Sequence, residues 1–455
     1  MTESIAPPRR GWQWVMWVVG TAAVAVTIAI SVRWGRSLQR TSPEIFLGAA
    51  PLVGRNFRDG WDWRFGWGLI GAGGVAGLVI GGVWTDWWWR ARLRWVVATS
   101  TAGATLFATA LALTDGVDGI VYGVEHESEY LANLAITPPA ASFVRHFVDD
   151  IDRYSVHVRG HPPGYTLVLK VFDAIGLGGT WPVAVLQIVA VGVTSAGVLV
   201  AVWAFAGPGW MRRTAPMLVV APYALWMVSS ADAVYSAVGA CGVAACAMGQ
   251  RSVRWSAVGW GLIGGTLLAA LLFLTYGGAM FLLVPAVPLV AALVRRHVGA
   301  WRTVAAATVA ATAVTLAFAA AGFWWFDGVA VTRREYWEGT AQFRPLGYFA
   351  IANLAAACIA VGPATLAGLP VTWRTRREWP WAALLVLGGV AALLAAHASQ
   401  YTRAEVERIW LLFFPWIAIA GASLVRRDRR AGACLAVASQ AACAIVLQAA
   451  LVSKW

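Results

Sequence analysis

The residues able to do chemistry are concentrated between Asp115 and Gly164. That stretch holds eight of the chain's 22 carboxylates and four of its six histidines. Asp115 and Asp118 come directly after a long apolar run, where a carboxylate sits at the mouth of whatever the apolar segment enters. Glu125, Glu127 and Glu129 follow in VEHESEYLANL, with Tyr130 next. Acids ahead of apolar residues at helical spacing predict a short amphipathic helix whose charges favour its N-terminus. Capping accounts for one glutamate and not for the cluster, so Glu127 and Glu129, with Asp115 at the helix exit, are candidate functional carboxylates. Asp149, Asp150 and Asp152 read as a solvated face, with a metal set completed by His146 as the alternative.

The string HVRGHPPG, from His157 to Gly164, is the most unusual in the chain. His157 and His161 have the i, i+4 spacing of a helical metal pair, but Gly160 lies between them and Pro162 disfavours a helical conformation in the residue before it. The spacing therefore predicts an extended His161 and a rigid turn that presents Arg159 and His161 and starts a helix at Pro162. Farther along, Arg333 and Arg334 sit beside Glu335, and QYTRAEVERIW carries Arg403, Glu405, Glu407 and Arg408. The planar guanidinium fork suits a phosphate; the alternative is an i, i+3 pair of Glu405 with Arg408. Arg159, Arg333, Arg334 and Arg408 are thus candidate phosphate ligands. Asp118, Tyr130, His157, His161, Tyr276, Glu405 and Glu407 are candidate substrate contacts, although Tyr276, in LTYGG, is also what an interfacial anchor looks like.

These residues need a scaffold, and the composition says which kind. With 59% hydrophobic and 13% charged residues and a mean hydropathy of +0.66 over 455 residues, the chain lies far outside the range of soluble domains. It reads as an all-α polytopic membrane protein with about 13 crossings. They are placed near 12–30, 67–85, 95–114, 181–206, 215–231, 232–250, 256–275, 278–294, 303–322, 346–370, 379–398, 409–425 and 431–452. The first follows Arg9 and Arg10 and has no clean cleavage site after it, so it reads as a helix and not as a signal peptide. Residues 165–179 are too short, and with Lys170 and Asp173 too charged, to cross.

Laying 165–179 flat puts Arg90, Arg92, Arg94, Arg212, Arg213, Arg251, Arg254, Arg295, Arg296, Arg302, Arg374, Arg376, Arg377 and the 426–430 cluster on one side. The bias of basic residues towards the cytoplasm makes that side cytoplasmic, together with the N-terminus. The loops near 31–66, 115–180, 323–345 and 399–408, which hold most of the chain's acids, are then extracytoplasmic in a cell membrane. The net charge of +13 is a topology signal spread over short clusters, and no nucleic-acid partner is expected. The five cysteines lie in apolar spans without a CxxC pair and read as small core residues. Most of the 28 tryptophans read as interfacial anchors.

The order of parts resembles the GT-C superfamily of integral membrane glycosyltransferases, in particular actinobacterial mannosyl- and arabinosyltransferases. The resemblance rests on Glu127-Ser128-Glu129-Tyr130 as an acidic motif in a long external first loop. It also rests on His161-Pro162-Pro163 opening an interfacial helix, and on a crossing that ends in arginine. It covers about 115–215, and the motif begins with Glu where the family has Asp. The resemblance implies transfer of a sugar, mannose or arabinose, from a polyprenyl-phosphate donor to an envelope glycan or glycolipid acceptor among membrane lipids. It also implies a carboxylate base, Glu127, Glu129 or Asp115, with a divalent metal possible and not required. The layout then divides into extra N-terminal helices (1–94), a core with the catalytic loop (95–231) and C-terminal helices (232–455). A transporter or flippase of lipid-linked sugar, without covalent chemistry, is the alternative, and an assembly scaffold is a third.

Overall fold

The computed structural model describes residues 10–42 and 63–451, so residues 43–62 of the expected outer loop 31–66 lie outside the described residues. Every regular element among them is helical. In chain order the main helices are α1 (Arg10–Thr41), α2 (Trp67–Trp84), α3 (Leu93–Ala112), α4 (Asp118–Glu125), α5 (Gly164–Ala174) and α6 (Thr180–Ala206). They continue as α7 (Pro208–Val219), α8 (Ala231–Arg251), α9 (Arg254–Leu274), α10 (Leu283–Val294), α11 (Ala300–Ala320) and α12 (Trp325–Glu338). The chain closes with α13 (Leu346–Val361), α14 (Pro363–Arg374), α15 (Pro380–Ser399), α16 (Val406–Ile409) and α17 (Arg430–Ala450). Eight described helices are long and apolar enough to cross a membrane, or up to ten if each of two bent pairs is one span. The chain is therefore built to span a membrane several times.

Three of the thirteen apolar runs expected to cross are not single straight helices, and proline stands at each break. Residues 215–231 are not a single helix: α7 ends at Val219, a 3-10 turn covers Pro222–Trp226 and Ser229 is left-handed at φ 66°. Pro216 and Pro222 remove backbone donors, and the freed groups survive because this stretch is buried almost throughout, where packed protein replaces lipid. The 346–370 run bends by 94° between α13 and α14. Gly362 takes φ 81° there, a conformation open to glycine, and Pro363 restarts the helix. Gln440 of α17 fills the break, accepting from the Ala364 amide (3.0 Å) and donating to the Val361 carbonyl (3.0 Å). The third broken run bends by 76° between 406–412 and 414–423; this one carries Arg408.

The centre of the bundle is α8, packed between α6 and α9, with α11 behind α9. The α9–α11 contact is made by Gly261 and Gly265 against Thr303, Ala306 and Ala307. Small residues let backbones approach closely, which is how helices gain contact when lipid offers no hydrophobic drive. Tryptophan is less uniformly an anchor than its abundance implies. Trp63, Trp67, Trp255 and Trp301 are exposed, but Trp88, Trp210, Trp410 and Trp416 are among the largest fully buried side chains.

The helix α17 is clamped to the N-terminal part at both ends. At one end the buried, left-handed Asp86 pairs with Arg430, Arg427 (3.5 Å) and Arg90 (3.7 Å). At the other, Asp115 pairs with Arg64 and accepts from Gln448 (3.2 Å), while Arg64 also donates to the Gln448 and Leu451 carbonyls. The three arginines at Asp86 are about half exposed, so losing the carboxylate does not strand them in an apolar interior. Asp86→Asn keeps a residue that tolerates the left-handed backbone and removes only the charge; it is expected to cost about 1–3 kcal/mol. A fall of a few degrees in the melting midpoint of the purified protein is the expected reading, and an unchanged midpoint would show the clamp to be idle.

Candidate functional site

The polar loop is organised from within by Asn133. Its side-chain nitrogen donates to the Glu129 carbonyl (2.8 Å) and to Ser155 Oγ (2.6 Å), and its oxygen accepts from the Ser155 amide (2.8 Å). Ser155 Oγ donates in turn to the Ser128 carbonyl (2.8 Å), and the His157 amide to the same oxygen (3.3 Å). Two segments separated by more than twenty residues are thereby held side by side. The amphipathic helix predicted after Glu129 is only a 3-10 helix, Leu131–Ile136. Because of this staple the Glu129 carboxylate turns inward instead of capping a helix; the residue is 8% exposed.

Three elements converge on that carboxylate. His157 Nδ1 lies 3.2 Å from Glu129 Oε1, and Arg408 Nη1 lies 3.1 Å from the same oxygen. Arg408 Nε reaches Asp232 Oδ2 at 3.4 Å, and its Nη2 lies 3.1 Å from His157 Nδ1. Asp232 stands in the first turn of α8, where the helix dipole favours an anion. The N-cap Ser230 accepts from its amide (3.2 Å) and donates to its carboxylate (3.1 Å). One guanidinium therefore bridges two buried carboxylates that come from the loop and from the bundle.

Arg408 is delivered by a strained turn. Gln400, Ala404 and Glu405 all have positive φ (60°, 78° and 61°) without being glycine, a conformation that costs about 1–2 kcal/mol per residue. Asn353 of α13 brackets the turn, donating to the Thr402 carbonyl (2.6 Å) and accepting from the Ala404 amide (3.2 Å). Arg344 donates to the Arg403 carbonyl and pairs with Glu405 (3.5 Å), and the Arg403 amide donates to Tyr336 Oη (2.8 Å). Backbone strain held by this many outside bonds is the pattern found at functional sites.

Below the cluster lies an aromatic floor. Tyr235 Oη donates to Tyr130 Oη (2.9 Å), Tyr165 packs edge-on against both rings, and Gln187 donates to Tyr165 Oη (3.3 Å). His161 packs on Tyr130 and Tyr235, and its Nδ1 lies 2.9 Å from the His157 carbonyl. A carbonyl accepts only, so Nδ1 carries the proton and Nε2 is left as an acceptor. The two histidines are thus joined through backbone and share the Tyr130 ring, with no common metal position. Among the described residues no group of three His, Cys, Asp or Glu side chains is placed to hold a metal ion. Gly164, directly after the two prolines, lets α5 rest on α9: a Cβ there would run into the Phe273 carbonyl.

Burial alone would raise the Glu129 pKa, but His157 and Arg408 overcome it and bring it down to about 2. Burial pushes His161 the other way from its usual range, down to about 4. The Tyr130 hydroxyl is raised well above its usual value, chiefly by burial. Both depressed groups bind fewer protons folded than unfolded, so stability rises with pH where they differ. The His161 contribution is complete above about pH 6.5 and is lost as pH falls towards 4. The Glu129 contribution is complete above about pH 4.5 and is lost as pH falls towards 2. The melting midpoint is expected to fall between pH 6.5 and 4, and His161→Gln to flatten that limb; an equal slope in the variant would remove His161 as its source.

The structure thus brings Glu129, Tyr130, His157, His161 and Arg408 together and disperses the other candidates. Asp115 belongs to the α17 clamp, and Asp118 and Glu127 are exposed. Arg159 pairs with Glu335 (3.0 Å), and its carbonyl accepts from Thr332, tying the loop to α12. Arg333 and Arg334 are exposed on α12, Arg334 3.7 Å from Glu335. Tyr276 packs on Trp325, Glu405 goes to Arg344, and Glu407 is fully buried beside Arg408. In the DDID stretch Asp150 pairs with Arg153 (3.2 Å), and His146 turns back to the Ser142 carbonyl. Sequence reasoning passed over Asp232, Tyr165, Tyr235, Gln187 and Arg344. The available signal was Ser230-Ala231-Asp232, an acid at the first turn of an apolar helix. No family model, curated protein or solved structure matches the chain, so the chemistry of this cluster carries the functional reading.

Proposed function

We propose that the chain is an integral membrane glycosyltransferase that moves a sugar from a polyprenyl-phosphate donor to an envelope glycan or glycolipid, on the extracytoplasmic face of the cell membrane. The observation that carries this reading is the buried Glu129–Arg408–Asp232 bridge with His157 and His161 beside it. A base and a phosphate-type cation from residues 279 apart in sequence meet there. The acceptor hydroxyl attacks the anomeric carbon as the bond from that carbon to the phosphate oxygen breaks. Glu129 takes the hydroxyl proton, and Arg408 holds the departing lipid phosphate. His161, neutral near pH 7, offers Nε2 to a sugar hydroxyl and not to the anionic phosphate.

A carboxylate with a pKa near 2 is a weak base, and the bridge supplies the remedy. Arg408 drawn towards an incoming phosphate loosens its hold on Glu129 while Asp232 still anchors it, and the proton affinity of Glu129 rises when donor is bound. The 11-residue α5, about 16 Å long and too short to cross, fits a scaffold that seats this site at the interface, while the extra N-terminal helices depart from the family's pattern. The test is incubation of proteoliposomes with radiolabelled polyprenyl-phosphate mannose or arabinose and a glycolipid acceptor. Labelled acceptor is the expected product. Movement of the donor across the bilayer with no labelled acceptor would replace this reading with a flippase.

A further inference from the structure

The end of the bundle remote from Glu129 has an open cleft of about 510 Å3, lined by Phe205, Gly207, Gln250, Arg251, His297 and Val298 among others. It lies at the far end of α6, whose 27 residues extend for about 40 Å from Thr180, which donates to Glu125. Gln250 is 4% exposed; its nitrogen donates to the Ala204 carbonyl (3.4 Å), while its Oε1 is buried without a hydrogen-bond partner. A buried acceptor left unmet costs about 1–3 kcal/mol, so an orphaned oxygen in the wall of a cleft calls for a donor from outside the chain.

The other groups in and around the cleft are cationic and aromatic. Arg251 donates to the Trp203 carbonyl (3.1 Å), capping the end of α6, and its guanidinium lies over the Trp203 ring. His297 packs edge-on against Trp381, and Arg295 lies over the same ring. The two guanidiniums lie on indoles here, and no carboxylate is among the residues that line the cleft, which leaves their charge for an anion. Beside the cleft Val290, Val294, Val298 and Trp301 form an exposed apolar run along α10 and the start of α11. A cationic pocket with one buried acceptor, continuous with an apolar surface, has the chemistry of a phospholipid seat.

We propose that this cleft binds the headgroup of a phosphodiester lipid that carries hydroxyl donors, such as a phosphatidylglycerol. Arg251, His297 and Arg295 take the phosphate, Gln250 Oε1 takes a headgroup hydroxyl, and an acyl chain lies along Val294 and Val298. The proposal is independent of the reaction at Glu129. A choline headgroup has the phosphate but no N–H or O–H to give Gln250, and a free glycerol phosphate has both polar parts but no chain.

The test uses the full chain, purified in detergent and followed by native mass spectrometry and thermal melting. Phosphatidylglycerol, phosphatidylcholine and glycerol 3-phosphate are offered separately. Phosphatidylglycerol is expected to be retained about tenfold better than phosphatidylcholine, the worth of one buried hydrogen bond, and glycerol phosphate is expected not to raise the melting midpoint. Val298→Trp, which fills the cleft from an exposed position, and His297→Ala, which removes one N–H donor, should each cut retention about as much. Equal retention of both lipids, or unchanged retention in both variants, would overturn the proposal. Stabilisation by glycerol phosphate to the same extent as by the lipid would assign the cleft to a soluble phosphate ester instead.

Discussion

Glu129→Gln is expected to lower sugar transfer by about 10²–10⁴-fold, the usual worth of a positioned general base, while the protein stays folded. The substitution preserves shape and leaves an amide oxygen to accept from Arg408 or His157. It also changes the buried charge in a tolerable direction. Glu129, Asp232 and Arg408 together carry one net negative charge, and removing Glu129 leaves a neutral Arg408–Asp232 pair at 3.4 Å. The stability cost is therefore that of about one hydrogen bond, roughly 0.5–1.5 kcal/mol. Transfer by membranes containing the variant, set against its melting midpoint, separates the two effects. Transfer within a few-fold of the wild type would show that the proton goes elsewhere. The exposed Glu127 serves as the control, since its replacement by Gln is expected to leave both readings unchanged.

Arg408→Met has the opposite balance. It removes the one cation that bridges the two carboxylates and leaves Glu129 and Asp232 in a protein interior without it. Breaking a buried charge pair by deleting one partner typically costs about 3–5 kcal/mol, because the remaining charge is uncompensated. The variant is expected to melt well below the wild type and to lose transfer. Adding Asp232→Asn to it should restore part of the stability, since one of the stranded charges disappears, with a coupling of about 0.5–3 kcal/mol. Transfer should not return, because under the proposed mechanism the departing phosphate has still lost its cation. A double-mutant cycle on thermal unfolding makes the measurement. Strict additivity, or an Arg408→Met protein as stable as the wild type, would mean that the bridge does not bear on folding.

These expectations rest on pairings of which the sequence shows only half. Glu129, Tyr130, His157, His161 and Arg408 stand out because polar residues in a lipid-compatible chain are costly and few, so each one is conspicuous. The same reasoning could not choose between Glu127 and Glu129. That choice is made by the Asn133–Ser155 staple, which sets the direction in which each side chain leaves the backbone. Asp115 looked equivalent to the glutamates, but Arg64 and the end of α17 claim it. Asp232 was passed over because one acid at a helix start reads as a cap until Arg408 is placed beside it.

The sequence by itself determined that the chain is helical, that it spans a membrane and that most of its acids gather in a few loops while other loops carry arginine almost alone. Hydropathy and charge are summed along short windows, and the bilayer imposes its 30 Å scale on every window separately. Tertiary structure alone decided which apolar runs break, which carboxylate faces inward and which arginine meets it. Those outcomes turn on the distance between residues hundreds of positions apart, and that distance is fixed only when the helices pack. An ion pair exists within about 4 Å and fades quickly beyond it, so no property of residues 129 or 408 read separately contains their contact.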